Sequence, residues 1–315
     1  MKKLALLTTA LCACTLTAET APGDSGSAPR SLPAPVARVV LVGVDGLGAR
    51  NIPWDDMPNL RALRDAGLYT VGRCGFPTLS APNWMSILTG MPIELHGMRD
   101  NSGKPKAEPW DPNAPCVFSE VRRQEPDAFT VSAFTWDAFG WMHSTNAVSE
   151  VRHFDGPLAK YDAYAARAAA TVDWVLSFLP RNPRLAFCYQ GQADLTGHRG
   201  GWGSPAYTNA CRDVDANIGR IVEAYKAAGL WEDTALILVA DHGGHGHNHG
   251  DATMECFEVP FLVAGPAVTG LRLREPVLLI DTAPTILALL GLDIPDTMRG
   301  RPALMCREPE VKEVK

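Results

Sequence analysis

The sequence lacks the features that mark nucleic-acid-binding and membrane-spanning proteins. Its 315 residues include 29 Lys and Arg against 35 Asp and Glu, for a net charge of -6, and they contain no long basic run. Basic and aromatic residues are not interleaved, so no nucleic-acid-binding surface is expected. Beyond residue 18, no segment is long and apolar enough to cross a bilayer. The chain also shows no internal repeat.

Cysteine pairs with CxxC spacing are absent as well, which leaves no sign of a CxxC redox or zinc motif. Six cysteines follow the N-terminal segment, namely Cys74, Cys116, Cys188, Cys211, Cys256 and Cys306. In an exported protein an even number suggests disulfides, but their pairing stays open. Cys188 lies in an apolar stretch, so a buried thiol is an equally good interpretation of that residue.

The N-terminus resembles an export signal. Two lysines precede an apolar run over residues 4–18, as in the hydrophobic region of a signal peptide. Cys14 fits a bacterial lipobox, so the alternatives are a lipid-anchored protein and a soluble one cleaved near residue 18. We therefore expect an exported protein that is periplasmic, secreted or a membrane-anchored lipoprotein. The predicted division is a signal at 1–18, a flexible linker at 19–37 and one metallohydrolase domain at 38–315.

Strand-like and helix-like segments alternate along the rest of the chain. This alternation predicts an α/β fold, with a mainly parallel central sheet and helices on both faces. The predicted strands are 39–44, 69–74, 129–134, 185–189, 234–240 and 257–264, the last broken at Pro260. The predicted helices are 57–66, 80–89, 161–179, 207–228 and 280–290. Residues 97–115 are polar and rich in proline, which indicates a surface insertion able to serve as a lid.

The stretch FPTLSAPNWMSILTG, residues 76–90, places a serine at the start of a helix. Pro82 suits a first helical turn, and apolar residues then recur at helical spacing. Ser80 therefore lies beside unpaired backbone N–H groups and the positive end of the helix dipole, where an anion or an alkoxide is stabilised. Taken alone, the pattern is more typical of an ordinary N-cap, and the rest of the chain favours the functional interpretation.

Candidate metal ligands follow three of the predicted strands. In open α/β sheets, ligands bind outside the carboxyl ends of strands, so these side chains should meet at one edge. Each group alone fits a turn or a solvated loop, but together they indicate a site for zinc or a similar ion. The candidates are Asp45, Asp194, His198, Asp241, His242 and the histidines of the glycine-rich loop, His245, His247 and His249.

These motifs together resemble the alkaline phosphatase superfamily, and within it the type I phosphodiesterase/nucleotide pyrophosphatase branch. The matching stretches are residues 44–46, 77–83, 194–198 and 240–243, and the resemblance runs in order from residue 37 to residue 302. It implies the alkaline-phosphatase-like form of the predicted α/β fold and two divalent ions beside a serine nucleophile.

The resemblance also implies roles for individual residues. One ion would be held by Asp45, Asp241 and His242, and would touch the nucleophile Ser80. The other would be held by Asp194, His198 and a late histidine. His249 fits the family pattern best for that last ligand, with His245 and His247 as alternatives. Asn83 matches the asparagine that donates to a non-bridging phosphate oxygen.

The implied function is metal-dependent hydrolysis of a small phosphoester, most specifically by a phosphodiesterase or nucleotide pyrophosphatase with a phosphoseryl intermediate on Ser80. Zn²⁺ is the expected ion, with Mn²⁺ as the alternative. A phosphomonoesterase and a non-catalytic metal-binding protein are the other hypotheses. A sulfatase is disfavoured, because Trp84 stands where sulfatases of this superfamily carry an arginine. The physiological substrate and the oligomeric state stay open.

Overall fold

A seven-stranded sheet forms the centre of the protein. The structure, a computed structural model, describes residues 35–102, 115–143 and 147–306, which belong to one compact unit. The predicted signal at 1–18 with Cys14, most of the predicted linker and residues 103–114 of the predicted lid lie outside these ranges. Within the described ranges, no helix combines the length and the apolar character needed to cross a membrane.

The strand order of the sheet is that of a largely parallel α/β fold. Its strands are β1 (Arg38–Val44), β2 (Leu68–Arg73), β3 (Thr130–Phe134), β4 (Glu150–His153), β5 (Leu185–Gln190), β6 (Thr234–Val239) and β7 (Glu258–Ala264). They lie in the order β2-β7-β6-β1-β5-β3-β4. β7 is antiparallel to both of its neighbours, and the other neighbouring pairs are parallel. The predicted mainly parallel sheet is confirmed. A separate two-stranded antiparallel sheet pairs β8 (Leu271–Leu273) with β9 (Leu304–Cys306).

Helices cover both faces of this sheet, as predicted. One face carries α1 (Pro58–Ala66), α6 (Tyr161–Leu176), α7 (Gln192–Gly200) and α8 (Pro205–Ala227), and the other carries α2 (Ser80–Thr89), α4 (Val117–Gln124) and α10 (Thr282–Leu290). Short helices are α3 (Ile93–His96), α5 (Phe139–Met142) and α9 (Met254–Phe257). Every residue of β1, β5 and β6 is buried, which explains their continuous apolar sequences.

Several element boundaries differ from the sequence prediction for identifiable reasons. α6 ends at Leu176 rather than 179, since Pro180 has no N–H to donate to the Leu176 carbonyl. β7 continues through Pro260, because its pairing with β6 begins only at Phe261 and the missing N–H costs no ladder bond there. β4 and α4 were not predicted from sequence.

Residues just before β1 belong to the packed domain. Val36 is buried, and its backbone N–H donates to the Leu289 carbonyl at 2.9 Å. The last residues of the predicted linker are therefore part of the fold, because Val36 has an apolar surface to bury.

Four of the six cysteines are buried thiols without a disulfide. They are Cys74, Cys188, Cys211 and Cys256. For Cys188, in the middle of β5, the structure agrees with the interpretation as a core thiol.

Gly43 allows α2 to pack directly on β1. A Cβ at this position would lie 2.6 Å from the Trp84 ring and 2.8 Å from the Phe187 ring. The absence of a side chain therefore lets the Trp84 indole, which comes from α2, lie against the strand that ends at Asp45.

We expect Gly43→Ala to lower the free energy of unfolding by about 1–3 kcal/mol, because the added methyl overpacks the Trp84 contact. Urea unfolding measures the change. Gly140→Ala is the control, since no atom lies within 4 Å of the point that a Cβ would occupy there and the change should stay within roughly 0.5 kcal/mol. Equal effects of the two substitutions would contradict this account of the packing.

Candidate metal centre

The carboxyl ends of three adjacent strands bring the predicted ligands together. Asp45 directly follows β1, Asp194 lies in α7 just after β5, and Asp241 and His242 follow β6. The loops are joined by backbone bonds: the Asp194 N–H donates to the Asp45 carbonyl at 3.1 Å. Ser80, the first residue of α2, reaches the same point.

The first cluster is buried and includes the serine. Ligand atoms of Asp45, Asp241 and His242 all lie within 4.8 Å of one another. His242 Nε2 is 3.5 Å from Asp45 Oδ1 and 3.3 Å from Asp241 Oδ2. Ser80 Oγ lies 3.1 Å from the same nitrogen. The four side chains predicted to surround one ion therefore converge.

The second cluster lies nearer the surface. His249 Nε2 is 3.1 Å from His198 Nε2 and 3.7 Å from Asp194 Oδ1. The geometry favours His249 over its alternatives, since His245 pairs with Asp251 at 2.7 Å and His247 contacts the backbone of His198. The His198 side chain is 42% exposed, so this cluster is open to a ligand from solvent.

α7 explains the spacing of Asp194 and His198. Four residues apart on one helix, they lie on the same face, with His198 Nε2 3.5 Å from Asp194 Oδ1. The helix was not predicted, because Gly197 and Gly200 have low helix propensity. Gly197 is needed there, since a Cβ would lie 2.6 Å from the Trp202 ring.

In two of the three carboxylates, those of Asp45 and Asp241, the protein holds one oxygen by hydrogen bonds and leaves the other without one. Asp45 Oδ2 accepts from Trp84 Nε1 at 3.0 Å and Tyr189 Oη at 2.7 Å, and Asp241 Oδ1 accepts from the Gly46 N–H at 3.1 Å. Within the described residues, Asp45 Oδ1, Asp194 Oδ1 and Asp241 Oδ2 are buried without a hydrogen-bond partner. Such oxygens are costly to bury unless a cation meets them.

The three imidazoles are also oriented for metal binding. The Nδ1 atoms donate to backbone carbonyls: His242 to Gly243 at 2.8 Å, His249 to Thr78 at 2.8 Å and His198 to His247 at 3.0 Å. These bonds fix the tautomer and leave each Nε2 as a lone-pair donor. His198 and His249 thus direct two lone pairs at each other at 3.1 Å, an arrangement that a cation between them would stabilise.

A positive charge in this pocket would stabilise its buried carboxylates. Burial raises the pKa of Asp45, and burial together with the neighbouring carboxylates raises the pKa of Asp194 and Asp241 well above the usual value. Burial lowers the pKa of His242 and His249 to about 3, so both imidazoles are neutral near pH 7. Neutral imidazoles and carboxylates lacking counter-charge are the donor set of a zinc-type site. The residues therefore fit divalent ions.

Four residues outside the predicted site position its ligands. Trp84 and Tyr189 hold Asp45, and Trp202 Nε1 donates to the Gly46 carbonyl at 2.8 Å. The Thr78 carbonyl accepts from His249, while its hydroxyl donates to the Asp251 carbonyl at 2.8 Å and accepts from the Gly250 N–H at 2.9 Å. Sequence reasoning assigned these residues to the core or to a turn, because their partners are distant in the chain.

The predicted phosphate contact of Asn83 is not supported by its surroundings. Asn83 is fully buried; its Oδ1 accepts from the Gly75 N–H at 2.7 Å, and its Nδ2 donates to backbone carbonyls including Leu79 at 2.9 Å. These bonds shape the loop before Ser80 and use up the amide, so the side chain is structural.

Asn101 is a better-placed amide. Its Oδ1 accepts from the Ala81 N–H at 2.9 Å, next to Ser80, while the residue itself is exposed. This bond anchors the amide by its oxygen and turns its Nδ2 donors to another acceptor. Asn101 lies in a polar, proline-rich stretch without periodicity, so no sequence pattern distinguished it.

Comparison with known proteins identifies the family. The chain matches type I phosphodiesterase/nucleotide pyrophosphatase over residues 39–274, and it belongs to that family. The family resemblance predicted from the motifs is therefore confirmed. Proteins of this family depend on divalent metals, in agreement with the two ligand clusters.

Two curated relatives are similar over parts of the chain. The bis(5'-adenosyl)-triphosphatase of Mus musculus is 27% identical over 229 residues, which is 65% of this chain and 47% of the relative. The 2,3-bisphosphoglycerate-independent phosphoglycerate mutase of Rhodopirellula baltica is 40% identical over 119 residues, 35% of this chain and 20% of the relative. The chain thus spans between a fifth and about half of the length of these relatives.

Solved structures share the fold at low sequence identity. An inactive murine ectonucleotide pyrophosphatase/phosphodiesterase 5 in complex with AMP has a TM-score of 0.61 and 17% identity, over 82% of this chain and 96% of that one. A 2-O GAG sulfatase has a TM-score of 0.66 and 15% identity, over 84% of this chain and 73% of that one. These likenesses confirm the alkaline-phosphatase-like fold and carry no further argument.

We expect Asp241→Asn to have opposite effects with and without metal. In chelator-treated protein it removes a buried charge lacking a counter-ion, so the free energy of unfolding should rise by about 1–3 kcal/mol. In zinc it removes a ligand, so the stabilisation by the metal should shrink. Thermal unfolding with chelator and with zinc measures both.

The effect without metal should also depend on pH in a defined direction. Because the pKa of Asp241 is raised on folding, its carboxyl is neutral at low pH, and the destabilisation appears as pH rises through the folded pKa. The advantage of Asp241→Asn should therefore fade on acidification. Asp296 is exposed and provides the control, since Asp296→Asn should change the stability neither with chelator nor with zinc. Destabilisation by Asp241→Asn in chelator would contradict the account.

Proposed function

We propose that this protein hydrolyses a phosphodiester or phosphoanhydride bond of a small molecule, with Ser80 as the nucleophile. The observation that carries the proposal is the position of Ser80 Oγ, 3.1 Å from His242 Nε2, at the N-terminus of α2 and beside the unpartnered carboxylate oxygens. Asp45, Asp241, His242 and Ser80 would hold one ion, and Asp194, His198 and His249 the other.

Ser80 needs help to react, and His242 is a poor candidate for a general base. The pKa of His242 is lowered to about 3 by burial, so its imidazole holds a proton weakly near neutral pH. Two bound divalent cations would lower the pKa of the serine hydroxyl and neutralise charge on the attacking and leaving oxygens. The positive end of the α2 dipole favours the same alkoxide.

The proposed reaction has two steps, and Asn101 would stabilise the charge that develops in them. Ser80 Oγ forms a bond to phosphorus while the bond to the leaving oxygen breaks in line, which produces a phosphoseryl ester. Water then attacks this ester, releases the phosphate product and restores the serine. Asn101, anchored beside Ser80 by the Ala81 N–H, would donate from Nδ2 to a non-bridging oxygen, where negative charge accumulates.

The two arginines next to the sequence motifs, Arg73 and Arg199, favour a diester over a monoester. Arg73 pairs with Glu258 at 2.6 Å, and Arg199 donates to the Leu158 carbonyl, so both are already engaged. A terminal dianionic phosphate would gain from an arginine that is not already paired. The curated relative named for bis(5'-adenosyl)-triphosphate hydrolysis supports a nucleotide-type substrate. We propose Zn²⁺ as the native ion, with Mn²⁺ as the alternative.

The sulfatase alternative is opposed by Trp84. Its buried indole donates to Asp45 Oδ2 at 3.0 Å, so this position supports a metal ligand instead of presenting a guanidinium. The sulfatase among the structural neighbours is 15% identical and shares the fold alone.

We expect bis-p-nitrophenyl phosphate to be hydrolysed faster than p-nitrophenyl phosphate, and p-nitrophenyl sulfate to be a poor substrate. Activity should vanish with chelator and fall by about 10³-fold or more in Ser80→Ala, because the nucleophile is lost. Ser177→Ala, at an exposed serine of another element, is the matched control. A monoester preference would move the assignment to a phosphatase, and full activity of Ser80→Ala would refute the mechanism.

Asn101 and Asn83 should respond differently to removal of the amide. Asn101→Ala should lower kcat by roughly 10²-fold with little change in stability, because it removes a donor to the developing charge. Asn83→Ala should lower the free energy of unfolding by about 1–3 kcal/mol, because the buried backbone groups around it lose their partner. Diester kinetics and thermal unfolding of both variants provide the comparison. A loss of activity without a loss of stability in Asn83→Ala would restore the original interpretation.

A further inference from the structure

A second kind of ligand set lies beside the metal centre, in side chains that neither cluster uses. We call His245, Asp251 and Cys256 the peripheral cluster. Their ligand atoms, one imidazole nitrogen, one carboxylate oxygen and one sulfur, all lie within 4.8 Å of one another. His245 Nε2 is 2.7 Å from Asp251 Oδ2, while Cys256 is buried beneath them.

The surroundings of the peripheral cluster orient its members. Asp251 Oδ1 accepts from the Thr253 N–H at 3.1 Å and from its hydroxyl at 2.7 Å, which leaves Oδ2 directed at His245. The backbone of His245 is fixed by two reciprocal bonds with Asn248 at 3.0 Å each. Bonds to Thr253 thus orient the Asp251 carboxylate, as the bonds to Asp45 and Asp241 orient those carboxylates in the catalytic clusters.

The donor set selects a particular class of cation. Nitrogen, oxygen and sulfur donors together suit zinc or a similar borderline-soft ion, whereas Mg²⁺ and Ca²⁺ prefer oxygen alone. Tetrahedral zinc places N and O ligands roughly 3.3 Å apart, given bond lengths of about 2.0–2.2 Å. The present 2.7 Å separation of His245 and Asp251 would open by about half an ångström, and both side chains are exposed enough to move.

Hydrogen bonds connect the peripheral cluster to the loop that carries His249. The Thr78 hydroxyl donates to the Asp251 carbonyl and accepts from the Gly250 N–H, and the Thr78 carbonyl holds His249 Nδ1. A cation that ties His245 and Asp251 to Cys256 would therefore fix both ends of the loop that carries His249 and fasten it to α9.

We propose that His245, Asp251 and Cys256 bind a third divalent cation of the zinc class, with one position open to water, and that this cation fixes the loop that carries His249. Binding displaces the thiol proton of Cys256 to solvent, and no redox change is involved. The proposal concerns a site separate from the two catalytic ions and goes beyond the proposed hydrolysis.

Cobalt substitution tests the proposal with a readout that is independent of activity. The two catalytic clusters offer only nitrogen and oxygen ligands, so they cannot give a sulfur-to-cobalt charge-transfer band. We expect Co²⁺-loaded protein to show this band and to bind about one more equivalent of cobalt than the Cys256→Ser variant. His245→Ala, at an exposed residue, should weaken cobalt binding at the same site and reduce the band.

Controls separate the proposal from general thiol binding and from the proposed function. Cys188→Ser removes a buried thiol distant in sequence and should leave the band unchanged, and circular dichroism shows whether Cys256→Ser folds. If Cys256→Ser does not fold, His245→Ala decides. A band that is absent from the wild type, that persists in Cys256→Ser, or that is undiminished in intensity and in cobalt affinity in His245→Ala overturns the proposal. Loss of ester hydrolysis in Ser80→Ala with the band intact would leave the peripheral site in place.

Discussion

The arrangement of the site depends on one electrostatic constraint. Three carboxylates meet there, and each has one buried oxygen without a hydrogen-bond partner among the described residues. Asp45, Asp194 and Asp241 meet because β1, β5 and β6 are adjacent and end at the same edge. Without positive charge their mutual repulsion and desolvation are unfavourable, as the raised pKa values show. Burial keeps the imidazoles of His242 and His249 neutral near pH 7, so they cannot compensate this charge, whereas bound cations would.

Packing around this edge converts the constraint into a defined geometry. Trp84 belongs to the helix that begins with Ser80, yet its indole bonds to Asp45, so one helix positions both the proposed nucleophile and a proposed metal ligand. Gly43 supplies the space for that indole. On the other side, Thr78 links the loop before Ser80 to the loop of His249. Ser80 is therefore joined to ligands of both clusters by side chains that take no part in the chemistry.

The features that could be predicted from the sequence are periodic apolar patterns and residues at the ends of helices and strands. Buried strands read as continuous apolar runs, Pro82 marked the start of α2, and ligands that followed strands could be assigned to one edge. Asn83 and Asn101 show what the sequence could not predict. Both are asparagines that lie close to Ser80 in the structure, and only their hydrogen-bond partners show that Asn83 stabilises a loop while Asn101 presents an exposed N–H donor. Helix α7 was not predicted because its glycines have low helix propensity. Gly197 is there because the Trp202 ring packs against it, which a propensity scale does not take into account. Thr78 and Tyr189 were missed because their partners are far away in the chain.

The stereochemical course at phosphorus tests the central claim, that Ser80 itself attacks the substrate, most directly. Each in-line displacement inverts the phosphorus centre, so reaction through a phosphoseryl ester inverts it twice. Hydrolysis of a chiral phosphorothioate diester in isotopically labelled water, followed by analysis of the product configuration, should therefore show net retention. Net inversion would mean that water attacks the diester in a single step, and Ser80 would then be a metal ligand and not the nucleophile.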